Sequence, residues 1–146
     1  MNPAATTIDP ATAARCRAFA RGAGLVAAMA GGLVLVGWAL DLGWLKSVFP
    51  GGTTMKPNTA VGFMLSGAAL GLLGEVQDRR LAIARLCAAL AATLGWLTLA
   101  EYFLGLNLGF DDLLFHAGVH TSSDLHPGRM APATALGFSL LGATLL

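Results

Sequence analysis

The chain has 146 residues, of which 55% are hydrophobic and only 12% charged, with a net charge of +1 and a mean hydropathy of +0.68. A soluble domain of this length carries far more charge on its surface, and a near-neutral chain without a basic run or an aromatic-interleaved basic patch is not built for nucleic acid. Two cysteines, Cys16 and Cys87, make no disulfide framework and read as small apolar side chains.

Residues 1–14 are rich in Ala, Thr and Pro with the single charge Asp9, and read as a mobile or interfacial tail. Arg15, Arg17 and Arg21 follow on nearby faces of a short helix. Residues 22–40 then run without a charge, long enough to cross a bilayer core of about 30 Å and longer than the roughly 7–15 apolar residues of a cleaved signal peptide. Trp38 and Trp44 suit the membrane interface. The Pro-Gly-Gly segment 50–52 is a turn. A second apolar run covers about 58–74, where Gly67, Gly71 and Gly74 fall close to one face and favour tight helix packing.

After a polar hairpin at 75–80, a third run covers about 83–104, with Arg85 one turn inside and able to reach back to the head groups. Residues 105–129 form the longest connection. A fourth run covers about 129–146 and is still apolar at Leu146, which predicts a helix cut before a cytoplasmic effector.

The second and fourth runs open on the same element. Residues 55–70 (MKPNTAVGFMLSGAAL) and 130–145 (MAPATALGFSLLGATL) align without gaps at 10 identities in 16. Pro57 and Pro132 suit the first helical turn, and Asn58 and Thr59 can hydrogen-bond free backbone groups there. The match extends to Leu40-Asp41-Leu42-Gly43-Trp44 and Leu106-Asn107-Leu108-Gly109-Phe110. The unit is therefore a span, an exit motif, a loop and a second span. It occurs twice, with the second loop about nine residues longer. The expected fold is an all-α membrane protein of four transmembrane helices, built as two parallel two-helix repeats about an axis along the membrane normal. Residues 1–21 form a cytoplasmic tail. Arg15, Arg17, Arg21, Arg79, Arg80 and Arg85 lie on one side and Lys46, Lys56 and Arg129 on the other, which predicts cytoplasmic N- and C-termini.

Glu101 is the only acid inside an apolar run, which makes it a functional candidate; a position at the interface in contact with water is the competing reading. Arg129 and Lys56 are its possible partners, and Tyr102 beside it reads as an interface anchor. His116 and His120 are four apart and would share a face of a helix. With His126 they could hold a transition metal, or two of them a haem, although neither Cys-x-x-Cys-His nor His-Glu-x-x-His occurs. Solvated loop histidines, or pH-sensing ones, are the alternatives. Asp111 and Asp112 read as caps of a short helix. No catalytic set or nucleotide fingerprint is present, so no enzyme is expected in these residues.

The patterns Met-Lys-Pro-Asn-Thr-Ala (55–60), Glu-Tyr-Phe-Leu-Gly (101–105), Leu-Gly-Phe-Asp-Asp-Leu-Leu-Phe (108–115) and Pro-Gly-Arg-Met-Ala-Pro-Ala-Thr-Ala (127–135) resemble the N-terminal four-helix membrane region of bacterial sensor proteins. There, such a region precedes PAS, histidine kinase or diguanylate cyclase modules. The chain departs at Ala133, where the family repeats the Asn seen here at Asn58. The resemblance implies a sensory input module of the bacterial inner membrane, working as a homodimer. It would bind a small molecule of unknown identity at its outer face and signal through the fourth helix. The ligand or signal residues would be drawn from Glu101, Arg129, Asn58, Lys56 and Tyr102. A haem- or metal-binding membrane protein using the three histidines, and a small transporter, are the competing readings.

Overall fold

The computed structural model describes residues 9–46, 54–73, 78–106, 108–109 and 129–146, all helical or in short connections, with no strand among them. Among the described residues there are five helices: α1 (Pro10–Ala39), α2 (Gly43–Lys46), α3 (Pro57–Leu72), α4 (Asp78–Leu104) and α5 (Pro132–Thr144).

Local chemistry sets their ends. α1 begins well before the apolar run, because the Asp9 carboxylate accepts from the Ala11 and Thr12 backbone N–H groups at 3.3 Å and Pro10 occupies the first turn. Residues 10–14, read from the sequence as tail, are thus the first turn and a half of a single helix that passes unbroken through Arg15, Arg17 and Arg21. α3 and α5 both start on proline, Pro57 and Pro132. Their cap positions are Lys56 and Ala131, and neither makes a side-chain cap. Asn58 and Thr59 lie in the first turn of α3. Just beyond α1 and α4 the backbone turns left-handed, at Asp41 (φ 54°) and Gly105 (φ 63°), the conformation that commonly terminates a helix.

α1 and α4 are long and apolar enough to cross a membrane. Their outward faces carry large apolar side chains, among them Leu25, Val26 and Met29 on α1 and Leu86, Leu90 and Trp96 on α4. That distribution suits an apolar solvent around the helices. α3 and α5, at 16 and 13 residues, reach about 24 and 20 Å.

The helices pack as two antiparallel hairpins, α1 with α3 and α4 with α5, joined by contacts between α3 and α4. Each hairpin closes on small residues spaced seven apart, near two helical turns. A Cβ on Gly31 would lie 2.4 Å from the Ala60 carbonyl oxygen, and one on Gly24 would lie 2.6 Å from that of Gly67. In the other hairpin a Cβ on Gly95 would lie 2.4 Å from the Ala135 carbonyl oxygen, and one on Gly142 would lie 2.6 Å from that of Ala88. At such separations backbone meets backbone and dispersion contacts hold the pair. Between the hairpins the Phe63 and Phe138 rings meet edge to face, centroids 5.5 Å apart. Phe138 lies over Gly62, where a Cβ would stand 2.4 Å from the ring. Leu99, Met130 and Ala135 complete that core. Trp38, Val34 and Ala60 form a smaller one in the first hairpin.

Two substitutions separate contact from helix propensity. Gly31→Ala or Gly95→Ala forces the backbones apart and is expected to lower stability by about 1–3 kcal/mol. Gly32→Ala, whose Cβ would meet nothing within 4 Å, should be neutral or stabilising by up to about 1 kcal/mol. Thermal unfolding in detergent reads both, and equal effects at positions 31 and 32 would refute the packing argument.

Candidate functional site

The two buried charged residues among those described, Glu101 and Arg129, meet where α4 ends and α5 begins. Glu101 occupies the last turn of α4 and is fully buried. Arg129 precedes the first turn of α5 and is 7% exposed. Arg129 Nε lies 3.2 Å from Glu101 Oε2. The other carboxylate oxygen, Oε1, accepts the Leu108 backbone N–H at 2.8 Å, and Arg129 Nη2 donates to the Leu106 carbonyl at 3.1 Å. The guanidinium stands 5.2 Å from the centre of the Tyr102 ring, and the Tyr102 hydroxyl donates to the Met130 carbonyl at 3.0 Å.

Each of these contacts has a physical reason. An unpaired charge away from water is very costly. Glu101 is tolerated because it has a cation and a backbone donor, and Arg129 because it has a carboxylate, a carbonyl and an aromatic face. Together they hold both ends of the long connection, Leu106 and Leu108 at one end and residues 129–130 at the other, against the end of α4. Tyr102, which the sequence reads as an interface anchor, fastens α4 to the chain entering α5.

A related arrangement closes the shorter connection. Trp38 is 7% exposed, and its Nε1 donates to the Met55 carbonyl at 2.9 Å. Lys46 lies 4.6 Å over its ring and contacts the Asp41 carboxylate. Met55 N–H donates to the Lys46 carbonyl at 2.7 Å. Both connections therefore close through an aromatic donor, a methionine carbonyl and a cation on the ring. They differ in the acid: the Asp41 side chain is 91% exposed, whereas Glu101 is buried. The sequence singled out Glu101, Tyr102 and Arg129. It did not mark Trp38, Lys46 or Asp41 as a second cluster, because their pairing depends on how the chain turns after α1.

Of the other candidates, Asn58 is buried inside α3 and Lys56 is half-buried at its start. Trp44 is exposed. His116, His120, His126, Asp111 and Asp112 lie outside the described residues. Among the described residues no group of three or more His, Cys, Asp and Glu could hold a metal ion. No family model, curated protein or solved structure matches the chain.

Breaking the buried pair gives a directional prediction. Glu101→Gln or Arg129→Gln leaves one charge buried without its partner and should cost about 3–5 kcal/mol. The double variant should cost less than the sum of the singles. Additive losses in thermal unfolding would show that the two side chains act independently.

The exposed pair gives a second. The Lys46 ammonium, by hydrogen bond first and by its charge second, holds the Asp41 carboxyl below its ordinary value of 3.8. A lowered acid contributes stability that is present above its unfolded pKa and is lost as pH falls through the folded one. A carboxyl NMR titration of wild type should therefore find Asp41 titrating below 3.8, and Lys46→Ala should move the midpoint up. An unchanged midpoint would mean that the contact does not persist in solution.

Proposed function

We propose that this chain is a membrane-embedded sensory input module, four helices deep, made of two copies of a two-helix unit. The observation that carries the sensory part is the Glu101–Arg129 pair. It places a buried acid and base at the join between the longest connection and the fifth helix, where a change in that connection bears directly on the helix that follows. Buried ionisable groups in apolar helices are functional candidates on energetic grounds alone.

The duplication is supported by matching contacts. Ala60 and Ala135 are 75 positions apart, as are Gly67 and Gly142 and the two methionine carbonyls of Met55 and Met130. Their partners Gly31 and Gly95 are 64 apart, as are Gly24 and Ala88, Trp38 and Tyr102, and the left-handed residues Asp41 and Gly105. The exit motifs matched by sequence alone are 66 apart, so the helix bodies correspond with a shift of two residues from that match. Phe63 and Phe138, also 75 apart, touch each other, as residues next to a pseudo-twofold axis would. On this reading α3 and α5 complete the four spans, and both connections lie on the face opposite the arginines of α1 and the start of α4. Both termini are then cytoplasmic, and the membrane is the bacterial inner membrane.

The reading is tested in two stages. The chain should fractionate with membranes after carbonate washing. A cysteine placed at Gly51 should react with an impermeant thiol reagent in intact cells, whereas labelling only after lysis would overturn the topology. Fused after Leu146 to a cytoplasmic cyclase reporter, wild type and Glu101→Gln should then give different outputs at equal expression. Equal outputs would sink the sensory part and leave the membrane part standing.

A further inference from the structure

The two hairpins are not packed alike around their shared phenylalanines. α4 packs on α3 as well as α5, whereas no comparable packing joins α1 and α5. Phe138 fills the space over Gly62. Its counterpart Phe63 instead borders an open groove of about 610 Å³ along α1, walled by Phe19, Ala23, Val26, Ala27 and Ala30. Gly137, the counterpart of Gly62, meets nothing within 4 Å. The difference extends to the alanines: Ala84 and Ala91 on α4 are fully buried, while Ala20 and Ala27, the matching positions on α1, remain partly open.

The groove is apolar along its length and charged at one end. From Phe19 to Ala30 it extends about 16 Å along the helix, close to one leaflet of a hydrocarbon core about 30 Å thick. Arg15 precedes Phe19 by four residues and so lies on the same face, about 6 Å further along the axis. It is exposed, as are Arg17 and Arg21 within the next two turns. On α1 itself the acid nearest Arg15, Asp9, is engaged as the helix cap. An apolar slot one leaflet deep, opening beneath arginines, has the shape and charge of a phospholipid with an anionic head group.

We propose that this groove binds one anionic phospholipid, its acyl chain between α1 and Phe63 and its phosphate at Arg15. The assignment rests on the membrane reading above and not on the sensory one. Bound there, the lipid stands in for the packing that α1 and α5 lack, so that head-group composition sets how firmly the first hairpin is held against the last helix.

The test uses the full chain, delipidated in detergent, with phosphatidylglycerol or phosphatidylcholine added and binding counted by native mass spectrometry. Wild type should take up one phosphatidylglycerol at least about fivefold more tightly than phosphatidylcholine, the preference one basic side chain gives at an anionic surface. Arg15→Gln should remove the preference while still binding lipid. Ala27→Leu and Ala27→Trp should abolish the bound lipid, whereas Leu90→Trp, on the exposed face of α4, should not. The milder Ala27→Leu, checked for helical content, guards against a tryptophan that does not fold. An unchanged head-group preference in Arg15→Gln would overturn the proposal, as would full binding in a folded Ala27→Leu. Disulfide-linked dimers of Ala27→Cys, in place of lipid binding, would assign the groove to a second copy. A chain that fails to fractionate with membranes would remove the reading beneath the proposal, and that result is separable from all of these.

Discussion

Two carbonyl oxygens decide how closely the helices of this chain approach: that of Ala60 beneath Gly31 and that of Ala135 beneath Gly95. Neither contact has room for a Cβ. Where the outer faces of helices are as apolar as their inner ones, burying apolar surface gives little preference for one face over another, and close fit decides. The small residues therefore set the geometry, and everything else is arranged around it. The helix ends are brought near each other at fixed register. The connections are drawn together at their bases. The phenylalanines meet because the hairpins present them at equivalent heights.

The polar contacts at the ends of the helices follow from that register. Trp38 and Tyr102 reach the Met55 and Met130 carbonyls because the seams beneath them are equivalent. The carbonyls of Met55 and Met130, two residues before the prolines that open α3 and α5, are each satisfied by an aromatic donor. The halves then diverge. The first connection is short, and an exposed Asp41 with Lys46 suffices to close it; such a pair contributes little in water. The second is longer and is closed by a buried carboxylate, which is stable only while Arg129 and the Leu108 N–H are in place. Burial makes that closure dependent on every member in a way that the first closure is not.

Much of this was legible in the sequence, and the reasons are physical. Helix type and approximate extent follow from uninterrupted apolar runs. The equivalence of α3 and α5 follows from the proline, the glycines and the phenylalanine held in register. Glu101 stood out because a lone acid in an apolar run is expensive. The start of α1 was misplaced because the apolar run begins later than the helix; the decisive residues, Asp9 and Pro10, are a local cap with no hydrophobic signal. The leucines and glycines of the exit motifs repeat at short intervals, so composition leaves their register ambiguous; on the two-repeat reading, the contacts of Trp38 and Tyr102 favour a register two residues from the sequence match. The groove on α1 had no signal at all, since Ala20 and Ala27 look like Ala84 and Ala91 until burial separates them.

On the sensory reading, the arrangement around α5 argues for a switch with two positions rather than a graded one. α5 is fastened to α4 by the Tyr102 hydroxyl, by Arg129, and by the close seam at Gly95 and Gly142. A neutral hydrogen bond contributes about 0.5–1.5 kcal/mol, and one to a charged group about 1.5–3. These are small steps individually, but the Glu101–Arg129 pair does not weaken by halves. Once Arg129 moves beyond contact, Glu101 is a buried carboxylate without its cation, and it must find a proton, water or another cation. The seam below behaves in the same way, because carbonyl oxygens resting on glycines permit a jump by a turn or a separation but little sliding. A ligand acting on the long connection therefore meets a latch that is closed or open. The helix that would carry the message begins two residues after the methionine whose carbonyl that latch holds.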